Sequence, residues 1–183
     1  EREYDTSVIR KMTDKIRHRG PDSQDAFVEG KVGLGFVRLS IIDLEGGSQP
    51  MFNEDKNLVL IFNGELYNFQ DIRKELVEAG HVFTTHTDSE ILLHGYEEWG
   101  KEGLLGRLRG MFAFVIFDRT KKTLFGARDH FGIKPFYYYH KDGTFLFGSE
   151  IKSFLAHPDF QKELFEEKLP DFMTFGCIPG AET

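Results

Sequence analysis

The 183 residues predict an α+β domain in four layers, helix–sheet–sheet–helix, with antiparallel sheets. Three observations carry that prediction. Strand runs such as F112-A-F-V-I-F117 are apolar nearly throughout, as a sheet covered on both faces requires. The strands of the second half pair as hairpins across short turns, D118-R-T-K-K122 and K141-D-G143. Two helical segments lie between early strands and another follows the last hairpin, so both outer faces of a two-sheet stack can be covered.

The elements follow in order. Residues 7–18 place Val8, Ile9, Met12 and Ile16 at helical spacing, and H18-R-G-P-D22 breaks that helix with Gly and Pro. Residues 32–40 and 58–62 read as strands. Asn68 reads as an N-cap with Asp71 at the third position of a helix to about Ala79, closed by Gly80. T87-D-S-E90 reads as a capping box ahead of a helix that turns Ile91, Leu92, Gly95, Tyr96 and Trp99 inward. Residues 111–117, 123–127, 136–139 and 144–147 are strands, and Ser149 caps a short helix towards Ala156. Residues 163–175 read as a helix interrupted at Pro170, and G176-C-I-P-G180 as a connector. The main domain is therefore expected over residues 1–160, with 161–183 leading elsewhere.

Composition excludes several classes. The chain is long enough for one domain with a sizeable core. Lys+Arg 23 against Asp+Glu 30 gives a net charge of −7, which disfavours a nucleic-acid partner. No apolar run approaches the ~20 residues of a membrane span. The single cysteine, Cys177, excludes an internal disulfide and fits a reducing cytoplasm. It reads as structural, since no base stands near it in sequence. The seven histidines show no metal-ligand spacing: there is no H-E-x-x-H and no cysteine partner.

Three stretches read together as one wall of a site: R38-L-S-I-I-D43, F62-N-G-E-L-Y-N68 and T87-D-S-E90. They offer a guanidinium, an Asn-Gly pair after an apolar strand, and a carboxylate at a helix start. That set suits a small zwitterion carrying an amide, such as glutamine. Each feature also has a plain reading. Asn63-Gly64 is either a type I′ hairpin turn or an oxyanion hole made of a side-chain amide and a free backbone N–H at a strand end. The turn fits poorly, because Glu65-Leu66-Tyr67 is too short a return strand before the Asn68 cap. Arg38 is either an edge-strand residue reaching solvent or a fork that holds a carboxylate. Asp88 either favours the helix dipole or pairs with a ligand ammonium. R128-D-H-F-G-I-K134 is no phosphate loop and reads as a charged connection.

These phrases, with H18-R-G-P-D22, Q49-P-M51, S89-E-I-L92, G110-M-F-A-F-V-I-F-D118, A127-R-D-H-F-G-I-K134 and S149-E-I-K152, occur in one order along nearly the whole chain. Together they resemble the glutamine-hydrolysing, class II amidotransferase domain of asparagine synthetases, which has the N-terminal-nucleophile hydrolase fold. The resemblance implies an αββα sandwich and an N-terminal cysteine that attacks the glutamine amide, with its own α-amine as base. It implies an oxyanion hole at Asn63 and Gly64. It places the α-carboxylate on Arg38, with the backbone of Leu39, Ser40, Ile41 and Ile42 lining the pocket, and the α-amino end at Glu65 and Asp88. Released ammonia would pass to a C-terminal domain that amidates ATP-activated aspartate. No cofactor or metal is implied in the amidotransferase domain; ATP and Mg²⁺ belong to the C-terminal one. A homodimer is left open.

Two departures stand out. Family chains begin Cys-Gly-Ile, whereas Glu1-Arg2-Glu3 stands where the following loop should be, so a strand of about five residues is expected ahead of Glu1. No S-G-G-x-D-S pyrophosphate loop occurs; G46-G-S48 lacks the Asp. A third, smaller departure is Phe36, where many relatives carry a His. An inactive amidotransferase-like binding domain, or an enzyme for another acyl-adenylate, is the rival reading.

Overall fold

A computed structural model describes residues 5–39 and 47–178. Four helices, α1 (Thr6–Asp14), α2 (Phe69–Glu78), α3 (Glu90–Arg107) and α4 (Leu169–Phe175), accompany eight strands. The strands are β1 (Ser23–Glu29), β2 (Val32–Arg38), β3 (Met51–Phe52), β4 (Leu58–Leu66), β5 (Gly110–Asp118), β6 (Thr123–Arg128), β7 (Tyr137–Lys141) and β8 (Thr144–Gly148). All their pairings are antiparallel: one sheet runs β3-β4-β5-β6, and β1-β2 and β7-β8 form two separate hairpins.

Strand alternation assigns the layers. On β4, Leu58, Leu60 and Phe62 pack with Phe112, Phe114 and Ile116 of β5 against Ile72 and Leu76 of α2 and Ile91 and Leu92 of α3. One residue out of phase, Val59, Val115 and Phe117 meet Leu34, Phe27, Phe136 and Phe147 from the two hairpins. A third cluster joins Ile9 and Met12 of α1 to Leu146 and Phe154 across the hairpins' outer face. The layers are therefore α2/α3, the four-stranded sheet, the paired hairpins, and α1 with a 3-10 segment at Ile151–Ala156. This is the expected αββα sandwich, and its three interfaces are its three apolar clusters. Because β4 and β5 are covered on both faces, the runs 58–62 and 111–117 within them are apolar throughout.

Several expectations are corrected. β1 and β3 were not foreseen; S23-Q-D-A-F-V-E29 is too polar to read as a strand without its partner β2. β4 runs to Leu66 rather than ending at Phe62. Asn68 does occupy the N-cap of α2 but makes no cap bond. Its amide instead bridges to the α3–β5 connection, donating to Arg107 O (2.9 Å) and accepting from Arg109 N (3.0 Å). Gly80 does close that helix, with φ +103°. α1 ends at Asp14, and a 3-10 turn at Arg17–Arg19 follows. Pro170 starts α4 instead of interrupting a longer helix, as its missing N–H allows in a first turn. Cys177, read as structural, is exposed. No helix among the described residues is long and apolar enough to cross a membrane.

Candidate active site

The alternation that builds the sandwich also aims the site. Asn63 and Glu65 follow Val59 and Ile61 on the inter-sheet face of β4, so their side chains turn away from α2 and α3. Asn63 is registered with Ala113 and Gly64 with Phe112, so the Asn-Gly pair lies inside a strand rather than at a turn or a strand end. Gly64 is required by close approach: a Cβ there would stand 2.4 Å from Met111 O and 2.8 Å from Phe112 Cα. No described residue hydrogen-bonds the Asn63 side chain, which leaves its amide facing open space. Gln49 buttresses the same strand, donating from Nε2 to Phe62 O (3.2 Å) and accepting from Phe62 N.

Asn63, Gly64 and Glu65 line a cavity of about 500 Å³ between the sheets, together with Arg38, Leu39 and Asp88. Each predicted site residue that is described thus reaches one space. Ser40, Ile41 and Ile42 lie outside the described residues, and Leu39 is exposed. Arg38 ends β2, where its carbonyl accepts from Asp22 N (3.0 Å). Gly47 (φ +73°) separates its guanidinium from the corner before α3: a Cβ on Gly47 would stand 3.5 Å from Arg38 Nη2 and 2.7 Å from Thr87 Cγ2.

That corner is built from hydroxyls and one buried acid. Glu90 does not close a capping box; its carboxylate turns back to accept from Thr84 N (2.8 Å), Thr84 Oγ1 (2.9 Å), Thr85 N (2.7 Å) and Thr85 Oγ1 (2.6 Å). Burial alone would raise the Glu90 pKa, but His94 and these donors outweigh it and hold it at about 2. Ser89 Oγ donates to Thr87 Oγ1 (2.9 Å). Between them Asp88 Oδ2 accepts from Leu66 N (2.9 Å), which sets it beside Glu65. Burial raises the Asp88 pKa and the neighbouring Glu65 charge raises it further, against the Leu66 N–H. Two adjacent carboxylates of this kind gain from a cation placed between them.

Other parts of the motif set turn out to be supports. Gly20 lies flat on β2, where a Cβ would meet Val37 C at 2.4 Å. Arg19 lines the cavity and pairs with Glu150 (3.3 Å), which also meets His18 (2.9 Å) and Lys152 (2.9 Å). The connection after β6, read from sequence as merely charged, is organised by buried Asp129. Its carboxylate accepts from the backbone N–H groups of Phe112, Phe131, Ile133 and Lys134 (2.9–3.2 Å). Gln49 and Asp129 were missed as organising residues, because Gln49 acts on Phe62 and Asp129 reaches Phe112 across the fold as well as its own loop.

A sequence profile of the Glutamine amidotransferase domain matches residues 1–183. The chain belongs to the glutamine amidotransferase domain family. It is similar to asparagine synthetase [glutamine-hydrolyzing] 3 of Bacillus subtilis (strain 168), 45% identical over 171 residues, covering 92% of this chain and 28% of that protein. Asparagine synthetase [glutamine-hydrolyzing] 1 of the same organism is 45% identical over 177 residues, with 96% and 28% covered. A probable asparagine synthetase [glutamine-hydrolyzing] of Dictyostelium discoideum is 40% identical over 155 residues, with 81% and 28% covered. The amidotransferase chain thus spans less than a third of the length of these relatives. Among solved structures, glutamine phosphoribosylpyrophosphate amidotransferase from B. subtilis superposes with TM-score 0.69 at 22% identity, over 84% of this chain and 41% of that one. The allosteric regulatory enzyme of purine biosynthesis gives TM-score 0.61 at 28% identity, over 70% and 30%. The fold is that of the N-terminal-nucleophile hydrolase amidotransferases.

Proposed function

We propose that this domain hydrolyses the side-chain amide of glutamine to glutamate and ammonia, and that the ammonia serves a C-terminal synthetase domain amidating ATP-activated aspartate. The observation that carries this reading is the charge order around one cavity. A guanidinium (Arg38), two adjacent carboxylates (Glu65, Asp88), an unengaged amide and a strand glycine all line it. An amino acid whose carboxylate meets Arg38 and whose ammonium meets Glu65 and Asp88 leaves its side-chain amide for Asn63 and Gly64. The cavity volume is in the range of small-molecule sites.

In this scheme a thiolate adds to the amide carbon. Negative charge moves to the carbonyl oxygen, where the Asn63 amide and a backbone N–H at Gly64 stabilise it. The thiol's proton, taken up by the α-amine, passes to the nitrogen, and collapse expels ammonia and leaves a thioester for water to hydrolyse. The thiol is the N-terminal cysteine of the family resemblance. Cys177, the one cysteine of these 183 residues, is exposed beyond α4 and does not line the cavity.

The close of the domain near residue 160 is supported by packing. Phe160 still joins the α1 cluster, whereas α4 has no buried residue and exposes Phe172, Met173 and Phe175. An exposed apolar helix of this kind suits a connector that packs on a further domain. The test is ammonia release from glutamine by the intact protein, measured with aspartate-dependent amide formation. Glutamine turnover absent from a protein carrying its native N-terminus would overturn the proposal.

A further inference from the structure

On the α2/α3 side of the sheet, away from the cavity, two histidines and four glutamates converge around one buried imidazole. His94, on α3, is 1% exposed, and neither ring nitrogen has a hydrogen-bond partner. An imidazole buried with both nitrogens unsatisfied is costly and calls for a ligand. Its Nδ1 stands 3.4 Å from Glu97 Oε2 and 3.6 Å from Glu54 Oε1, and its Nε2 3.6 Å from Glu90 Oε1. These separations exceed the ~2.9–3.0 Å of an N–H···O bond. The Nδ1–Glu97 separation matches the edge of a tetrahedron of N and O donors about 2.0–2.2 Å from a central ion, which is roughly 3.3–3.6 Å. His81, from the turn after α2, completes the group: donor atoms of His81, His94 and Glu97 all lie within 4.8 Å of one another.

We propose that His81, His94 and Glu97 form a site for a divalent transition-metal cation of the zinc class, with solvent completing the coordination. Imidazole with carboxylate is a donor set that Zn²⁺ accepts in tetrahedral geometry. The outer contacts already orient the donors. Asn53 Nδ2 donates to Glu97 Oε1 (2.7 Å), leaving Oε2 towards His94. Glu98 Oε2 stands 3.1 Å from His81 Nε2, and Glu90 stands on the far side of the His94 ring. Such carboxylate–histidine contacts support metal ligands generally. Glu54, with its side chain 51% exposed, opens the cluster to solvent and gives an ion a way in. Linear spacing hides the site, because His94 and Glu97 share a helix while His81 comes from the turn after α2. A bound ion would tie the α2–α3 connection to α3, one turn beyond the Glu90 anchor that sets Asp88.

The experiment is a titration of the intact, untagged, chelator-treated protein with Zn²⁺, followed by calorimetry and thermal unfolding. One ion per chain is expected, with Tm raised by about 5 °C or more when free Zn²⁺ is held 100-fold above its Kd. H81N and E97Q alter partly exposed side chains outside the cavity, so both should fold. Each should weaken binding at least ~10-fold and lose the Tm rise. X-ray absorption should show only N/O donors near 2.0–2.1 Å. No saturable binding would mean that His94 is simply an imidazolium caged by carboxylates. Binding that survives both substitutions would place the ion elsewhere. Either result overturns the proposal.

Discussion

Asn63→Ala isolates the oxyanion role more cleanly than any other change. The side chain makes no hydrogen bond to a described residue, so its removal breaks no link in the sandwich. It sits on β4 opposite Ala113, where alanine fits the inter-sheet face. Stability should therefore change by no more than the ~0.5 kcal/mol usual for a substitution away from buried networks, a Tm shift of roughly 1–2 °C. Catalysis should suffer far more. One donor to a developing oxyanion is worth about 2.7–4 kcal/mol, so glutaminase kcat should fall about 10²–10³-fold. Glutamine affinity should stay close to that of the parent, because the bond forms mainly in the transition state. The assay is coupled glutamate release in the full-length enzyme, with KM and Tm from the same preparations. A kcat within threefold of the parent would refute the role. A Tm loss above ~5 °C would show that the amide holds structure instead.

Further outcomes follow from the same geometry. Gly64→Ala should cost about 1–3 kcal/mol and several degrees of Tm, since its Cβ would overlap the β5 backbone at 2.4 Å, and kcat should drop with it; an unchanged Tm would contradict that contact. Arg38→Ala should raise KM for glutamine at least tenfold while ammonia-dependent synthesis survives; equal loss of both would make Arg38 structural. Asp129 is held below the usual carboxylate range because its four backbone donors outweigh burial. A lowered folded pKa gives stability that is present above the unfolded value near 3.9 and lost as pH falls through the folded one. Asp129→Asn should thus destabilise by about 1–3 kcal/mol at pH 6, with the gap to the parent closing only as pH falls below the unfolded value near 3.9; a gap independent of pH would exclude the charge as the cause.

What the sequence revealed depended on whether a residue acts along the chain or across it. β5 and β6 were legible from apolar runs and turn chemistry, and the αββα order from where helices fall between strands. The Asn-Gly pair was legible as a site feature but not as mid-strand, because the pairing of Asn63 with Ala113 is set by β5, fifty positions on. The start of α3 shows the limit most clearly. T87-D-S-E90 fits a capping box by spacing, and a capping box would turn Glu90 towards its own helix end. Glu90 instead binds the Thr84–Thr85 backbone and hydroxyls, four bonds in place of one, and that larger gain decides the rotamer. Ser89 and Thr87 then bond each other, and Asp88 is left to meet Leu66 N across the layer. A motif read as a helix signal is therefore the hinge between two functions of one corner. Its acid faces the cavity at Asp88, and its second acid, Glu90, anchors the loop between that cavity and the His81–His94–Glu97 cluster behind it.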